Sequence, residues 1–323
     1  MKWGLHWLQI KSLNLLKSPE TRYWQLTSRS ITIHLSGIIF SVVRAAREAF
    51  TSSQLLIILS EKMNENDLYE AIFKRKSIRN YDPAQLDQNR LEEISKNLGA
   101  LKPMSTGIKT EFKIISPDQV TRKGTNKAPH YIAAFSEAKD TYKANIGFML
   151  QQMDLYFSAT GTGSCWLGIP QPTREVRESS SLEFIILMSF GNPKETLHRT
   201  SISQFKRKPL SEISNIQGVD ELLEPARLAP SAINLQNWYF TGDKNLIHAY
   251  SAKPGFLRSI VGGSYFPLNV GIAICHLQLA AEHLGWKTKI VFEKERDKNP
   301  PKDREYIASL EIEKAPAPLL FNT

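Results

Sequence analysis

The chain has 323 residues, 41% hydrophobic and 23% charged, with a net charge of +9; this is the composition of a globular protein and excludes a fibrous or low-complexity one. Two cysteines, Cys165 and Cys275, with no CxxC pair exclude a disulfide scaffold and point to a reducing, cytoplasmic setting. The longest apolar run near the start, "ITIHLSGIIFSVV", contains His34, is too short to cross a bilayer and lies too late for a signal peptide, so no membrane partner is expected.

In chain order, residues 1–62 come first. They hold five of the nine surplus positive charges and three of the six tryptophans, Trp3, Trp7 and Trp24, with little periodicity. They read either as a dispensable extension or as an extra helical layer on a body that begins at Met63. From there helix signals appear at "DLYEAIFKR", "DQNRLEEISKNL", "YKANIGFMLQQMDLYFSATG", "VDELLEPARLA" and "NVGIAICHLQLAAEHLG". Strand signals lie at "EFKIIS", "YIAAFS", "EFIILMSF", "WYFTG", "KTKIVFE" and "YIASLEIE". The mixture predicts an α+β fold with helices around mixed sheets.

Two helices align without gaps at an offset of 124 residues: "NIGFMLQQMDLYFSATG" from Asn145 and "NVGIAICHLQLAAEHLG" from Asn269 share Asn, Gly, Leu and Gly at matching positions. Each is apolar over most of its circumference, as a buried helix is. They suggest two diverged copies of one unit, over residues 63–214 and 215–323.

The string "FKRK" occurs twice, at Phe73–Lys76 and Phe205–Lys208. In an extended chain alternate residues share a face, so Arg75, Ser77 and Arg79 of "RKSIR" would point one way, as would Lys206 and Lys208, with Arg207 opposite. Two guanidiniums and a hydroxyl suit a phosphate; the alternative is a cationic cluster at a helix end. "APSAINLQNW" places Pro230, Ser231, Asn234 and Gln236 between a helix and a strand, where amides suit the edge of a heterocycle. "GTGSCWLG" reads as a glycine-rich turn after a buried helix, open to a planar ligand or serving only as a helix cap. The net charge fits a phosphate-bearing small molecule, and the aromatics are not interleaved with basic residues as a nucleic-acid groove requires, so no nucleic-acid partner is expected. The histidines show no metal spacing, and His276 and His283 read as satisfied core residues.

Taken together, "RKSIR", "GTGSCWLG", "SFGNP", "FKRKPL" and "APSAINLQNW" resemble the nitroreductase-like family of FMN-dependent oxidoreductases. The order departs from the family: where "PSxxNxQPW" should follow the first motif, the chain reads "KPMSTGIKTEFKII", and the expected residues appear in the second copy. That copy in turn lacks "RRSxR" and has "LGWKTKIV" in place of the glycine-rich turn. The resemblance therefore implies a single-chain pseudo-dimer that retains one FMN site. By similarity, Arg75, Lys76, Ser77 and Arg79 hold the phosphate and ribityl end with Lys206 and Lys208. Pro230, Ser231 and Asn234 reach the isoalloxazine, and Cys165, Trp166, Leu167 and Gly168 lie against the ring. The implied reaction takes hydride from NAD(P)H through the flavin to a nitroaromatic or quinone, the flavin carrying the chemistry and no side chain acting as nucleophile. Two other outcomes stay open: FMN binding without turnover, and a specialised dehalogenase or dehydrogenase.

Overall fold

A computed structural model describes residues 65–121, 127–253 and 265–313; the expectations for residues 1–62 lie outside them. Residues 63–323 form one compact unit. All five expected helices are present: α1 (Glu65–Ile72), α2 (Gln88–Gly99), α3 (Tyr142–Ala159), α4 (Asp220–Arg227) and α5 (Phe266–His283). Asp87 caps α2, its carboxylate accepting from the Arg90 amide at 2.9 Å. Pro225 lies in the last turn of α4, whose end is closed by the Leu228 amide on the Glu224 and Pro225 carbonyls.

Eight longer strands form two four-stranded sheets. The first contains β1 (Thr110–Ile115), β3 (His130–Ser136), β4 (Gly163–Leu167) and β6 (Glu183–Gly191), in spatial order β1-β3-β6-β4. The second contains β7 (Trp238–Gly242), β8 (Leu246–Ala252), β9 (Lys287–Val291) and β10 (Arg304–Glu313), in order β7-β8-β10-β9. A short ladder pairs β2 (Val120–Thr121) with β5 (Gln171–Pro172). The strand ladders are antiparallel, and one parallel bridge, Ser214 to Phe240, joins the edge of the second sheet. Both sheets follow the same path: two strands, a long helix, an edge strand, then a strand that returns to the middle.

The long helices α3 and α5 are buried along nearly their whole length and pack on each other. The glycines of the repeated pattern make that approach possible. A Cβ on Gly147 would overlap the Leu268 carbonyl, and one on Gly271 would overlap the Ala144 carbonyl. Ala144 precedes Gly147 by three residues, as Leu268 precedes Gly271, so the contact is reciprocal. The repeated asparagines are equivalent too. Asn145 Oδ1 accepts from the Met104 and Ser105 amides at 2.8 and 3.0 Å, and Asn269 Oδ1 accepts from the Ala232 amide at 3.0 Å. Each asparagine thus pins the loop that leads into the first strand of a sheet.

Two elements differ from the sequence expectation. "GSCWL" is the edge strand β4 rather than a turn, its glycine-rich lead confined to Gly161, at φ 83°. "LIHAYSA" forms β8, which the polar His248 and Ser251 obscured. Both are buried and satisfied: His248 Nδ1 lies 2.6 Å from Ser309 Oγ, and Ser251 Oγ accepts from the Asn237 amide at 3.2 Å.

Candidate functional site

The stretch after α1 is extended, as its sequence predicts. The Ile78 amide donates to the Ser164 carbonyl of β4 at 2.8 Å, and Arg75 and Tyr81 form isolated bridges to His198 and Pro193. Alternate residues do share a face: Arg75 Nη2 donates to Ser77 Oγ at 3.2 Å, and Arg79 Nη1 reaches the Ser77 carbonyl at 3.5 Å. Lys76 points the other way, to Glu195 at 2.9 Å.

Arg75 is only 1% exposed. Its Nε lies 2.9 Å from Asp154 Oδ2 on α3, a carboxylate that also accepts from Ser164 Oγ at 2.6 Å and from Gln151 Nε2 at 3.2 Å. A buried charge needs such a partner. Arg75 is therefore the anchored base of the site, and Arg79 is its exposed arm.

The second basic string is arranged differently from the extended expectation. A short 3-10 turn over Ile202–Phe205 ends at Lys206, which adopts a left-handed conformation (φ 53°). That breaks the two-residue alternation. Arg207 turns toward the "PSAINLQ" loop, its Nη1 donating to Asn234 Oδ1 at 2.5 Å and to the Phe205 carbonyl at 2.7 Å, its Nη2 to the Leu228 carbonyl at 3.1 Å. Lys206 and Lys208 stay on the rim. The Lys206 carbonyl accepts from Asn234 Nδ2 at 3.0 Å, and the Lys208 amide donates to Gln236 Oε1 at 2.7 Å. The Asn234 amide is thus engaged by "FKRK". Pro230 is buried, and Ser231 Oγ accepts from the Gln236 amide at 3.0 Å.

The same loop holds three non-glycine residues at positive φ: Ile233 (43°), Asn234 (59°) and Gln236 (48°). A β-branched residue there is strained, and such strain gathers at binding sites. The loop is pinned by Ala232 on Asn269, and Tyr265, one turn earlier, donates to the Gly168 carbonyl at 2.7 Å. Along β4, Cys165 and Leu167 pack in one buried cluster with Ile78, whereas Trp166 packs against the main core. Alternate side chains of a strand point to opposite faces, so Cys165 and Leu167 lie on one side of β4 and Trp166 on the other.

Three residues outside the sequence-predicted set, Asp154, Arg199 and Arg207, lie in this group. Arg199 Nη1 donates to the Arg75 carbonyl, its Nε to the Gln204 carbonyl at 3.3 Å, and its guanidinium lies 4.2 Å from the Phe205 ring centroid. Among the described residues neither Arg199 nor Arg207 has a carboxylate partner. Burial, then the neighbouring Arg75 and Arg79, push Arg199 down to about 10. Burial, then Arg75, Arg199 and Arg227, push Arg207 down to about 9. Arginine strongly resists losing its proton, so the group carries an excess of positive charge that a bound anion would relieve. Among the described residues Arg207 Nε is moreover buried without an acceptor, as is Trp166 Nε1. A flavin phosphate fits this group. Burial raises the Cys165 thiol, against the opposing pull of Arg79 and Arg75, so it stays protonated and is no ready nucleophile. Asp154 was visible in sequence as the one acidic residue of a mostly apolar helix; Arg199 lies in no motif.

A family model described as "Putative TM nitroreductase" matches residues 67–281. The chain is similar to a solved putative nitroreductase from Thermotoga maritima MSB8, at 22% identity over 78% of this chain and 98% of that one, with a TM-score of 0.53. It also matches a nitroreductase family protein from Clostridium difficile 630, at 18% identity over 45% of this chain and 94% of that one (TM-score 0.37). A third match is an FMN-dependent nitroreductase from Clostridium difficile R20291, at 20% identity over 43% and 92% (TM-score 0.34). No curated protein sequence matches the chain.

Proposed function

The chain belongs to the putative TM nitroreductase family, and on that premise we propose that it is an FMN-dependent oxidoreductase passing hydride from NAD(P)H to nitroaromatic or quinone-type acceptors. The observation that carries this reading is the group of Arg79, Arg199 and Arg207 gathered about the buried Arg75, with positive charge that Asp154 alone does not balance.

Arg75, Arg79, Arg199, Arg207 and Ser77 would hold the phosphate, with Lys206 and Lys208 at the rim. The loop Pro230–Gln236 and the β4 edge from Cys165 to Gly168 would flank the ring. Bound FMN would supply the hydride chemistry. The chain's part is to bind and orient: Asp154 fixes Arg75, Asn234 fixes Arg207, and the Tyr265 hydroxyl holds Gly168. The matching sheet orders and the reciprocal Gly147 and Gly271 contacts support a monomer that acts as a pseudo-dimer, with halves 63–214 and 215–323. The site is single on this reading. At the 124-residue offset, the counterpart of Asp154 is Gln278, which donates to Glu282 at 2.7 Å and anchors no arginine. A cytoplasmic setting accords with two free buried cysteines; among the described residues no helix is long and apolar enough to cross a membrane.

The test is a released-flavin count on the purified full chain, followed by anaerobic mixing with NADH or NADPH. One FMN per chain, with loss of the visible flavin band on mixing, is the expected result. One FMN that neither nucleotide bleaches would leave a binding protein. Two per chain would refute the single site.

A further inference from the structure

A chain of buried polar contacts runs from the second sheet's helix to the arginine group, and we propose that His276 on α5 is a positioning residue that sets the Arg75 guanidinium for phosphate binding. The proposal rests on the reading of that group as a flavin phosphate site.

His276 is 0% exposed. Its Nδ1 lies 2.9 Å from the Pro225 carbonyl and its Nε2 lies 3.0 Å from Gln151 Nε2. A carbonyl can only accept, so Nδ1 carries the proton and Nε2 accepts from the Gln151 amide. The second N–H of that amide donates to Asp154 Oδ2 at 3.2 Å. The opposite amide orientation would set Gln151 Oε1 against the Asp154 carboxylate and demand a proton on His276 Nε2. Burial, with Arg75 and Arg207 opposing a further positive charge, pushes His276 down to about 3, so the ring stays neutral and its tautomer is fixed. Asp154, thus oriented, takes Arg75 Nε at 2.9 Å, and Arg75 Nη2 meets Ser77 Oγ at 3.2 Å. The order is Pro225, His276, Gln151, Asp154, Arg75, Ser77.

Two observations distinguish this from ordinary core satisfaction. Among the described residues Gln151 Oε1 is buried without a partner, a cost that an apolar residue of the same shape would avoid, so the residue is held for its donors. The chain of contacts also exists on one side only. At the 124-residue offset Gln151 corresponds to Cys275 and Asp154 to Gln278, so the matching positions carry neither the amide nor the carboxylate.

The test compares FMN with riboflavin, which lacks the phosphate, by fluorescence quenching on the full chain. His276→Leu should weaken FMN roughly tenfold, the worth of one charge-assisted contact, and leave riboflavin unchanged. His276→Gln keeps one donor and one acceptor and should restore the FMN preference. Should His276→Leu fail to fold, Gln151→Met cuts the same chain one link later and takes the same ratio test. Equal weakening of both ligands, or no weakening of FMN, overturns the proposal. A wild type that binds FMN no better than riboflavin removes the phosphate site itself, and the proposal with it.

Discussion

Replacing Asp154 by asparagine keeps the side chain's shape and removes its charge. Three donors converge on that carboxylate: Arg75 Nε at 2.9 Å, Gln151 Nε2 at 3.2 Å and Ser164 Oγ at 2.6 Å. The Ser164 hydroxyl can rotate to accept from the new amide, so the asparagine oxygen can still face Arg75 and Gln151. What is lost is the countercharge to an arginine whose side chain is 2% exposed. Removing one member of a buried pair costs about 3–5 kcal/mol, against a typical total of about 5–15 kcal/mol. Urea unfolding followed by tryptophan fluorescence measures this as a lowered midpoint at unchanged slope. The double variant Arg75→Met/Asp154→Leu removes both charges and should recover most of the stability, while its FMN affinity stays low. An Asp154→Asn midpoint equivalent to less than about 1 kcal/mol of destabilisation would refute the claim that Arg75 depends on Asp154 as a buried ion.

Arg199→Met and Arg207→Met should each weaken FMN roughly tenfold and flatten the salt dependence of binding, read by fluorescence titration at two ionic strengths; an unchanged salt slope contradicts the phosphate role. Gly147→Ala and Gly271→Ala should each cost about 1–3 kcal/mol or more, since backbone faces backbone and little can yield; calorimetry should give similar losses for the two. Because burial raises the Cys165 thiol, iodoacetamide should label it far more slowly at pH 8 than a free cysteine. The rate should climb only well above the ordinary thiol range as the thiolate forms. Rapid labelling at pH 8 would mean an activated thiol.

Much of this was legible in sequence because the signals were local. The five helices announced themselves by caps and apolar spacing, and the paired asparagines and glycines of α3 and α5 by their constant offset. What escaped depended on distant partners or on single backbone angles. β4 carries turn residues, and only its ladder with β6 makes it a strand. The extended backbone expected for "FKRKPL" is interrupted by one left-handed residue, Lys206, and no residue type there demanded it. Arg199 belongs to the site only because the Lys74 carbonyl holds its amide at 2.8 Å and brings the segment back beside Arg75. Such closures appear in no local pattern.

The reciprocal crossing of α3 and α5 has a consequence for how the chain can vary. Between identical subunits, any change at such a crossing arrives twice, once on each side, and both copies must tolerate it. Here each helix is encoded separately, so a residue on one side can change while its counterpart stays, as Asp154 and Gln278 already differ. Nor can dilution part the two helices, because the tether keeps their local concentration high. The melting temperature should therefore be the same at micromolar and nanomolar protein. Selection can act on one face of the crossing at a time, freeing one side for ligand chemistry and the other for support.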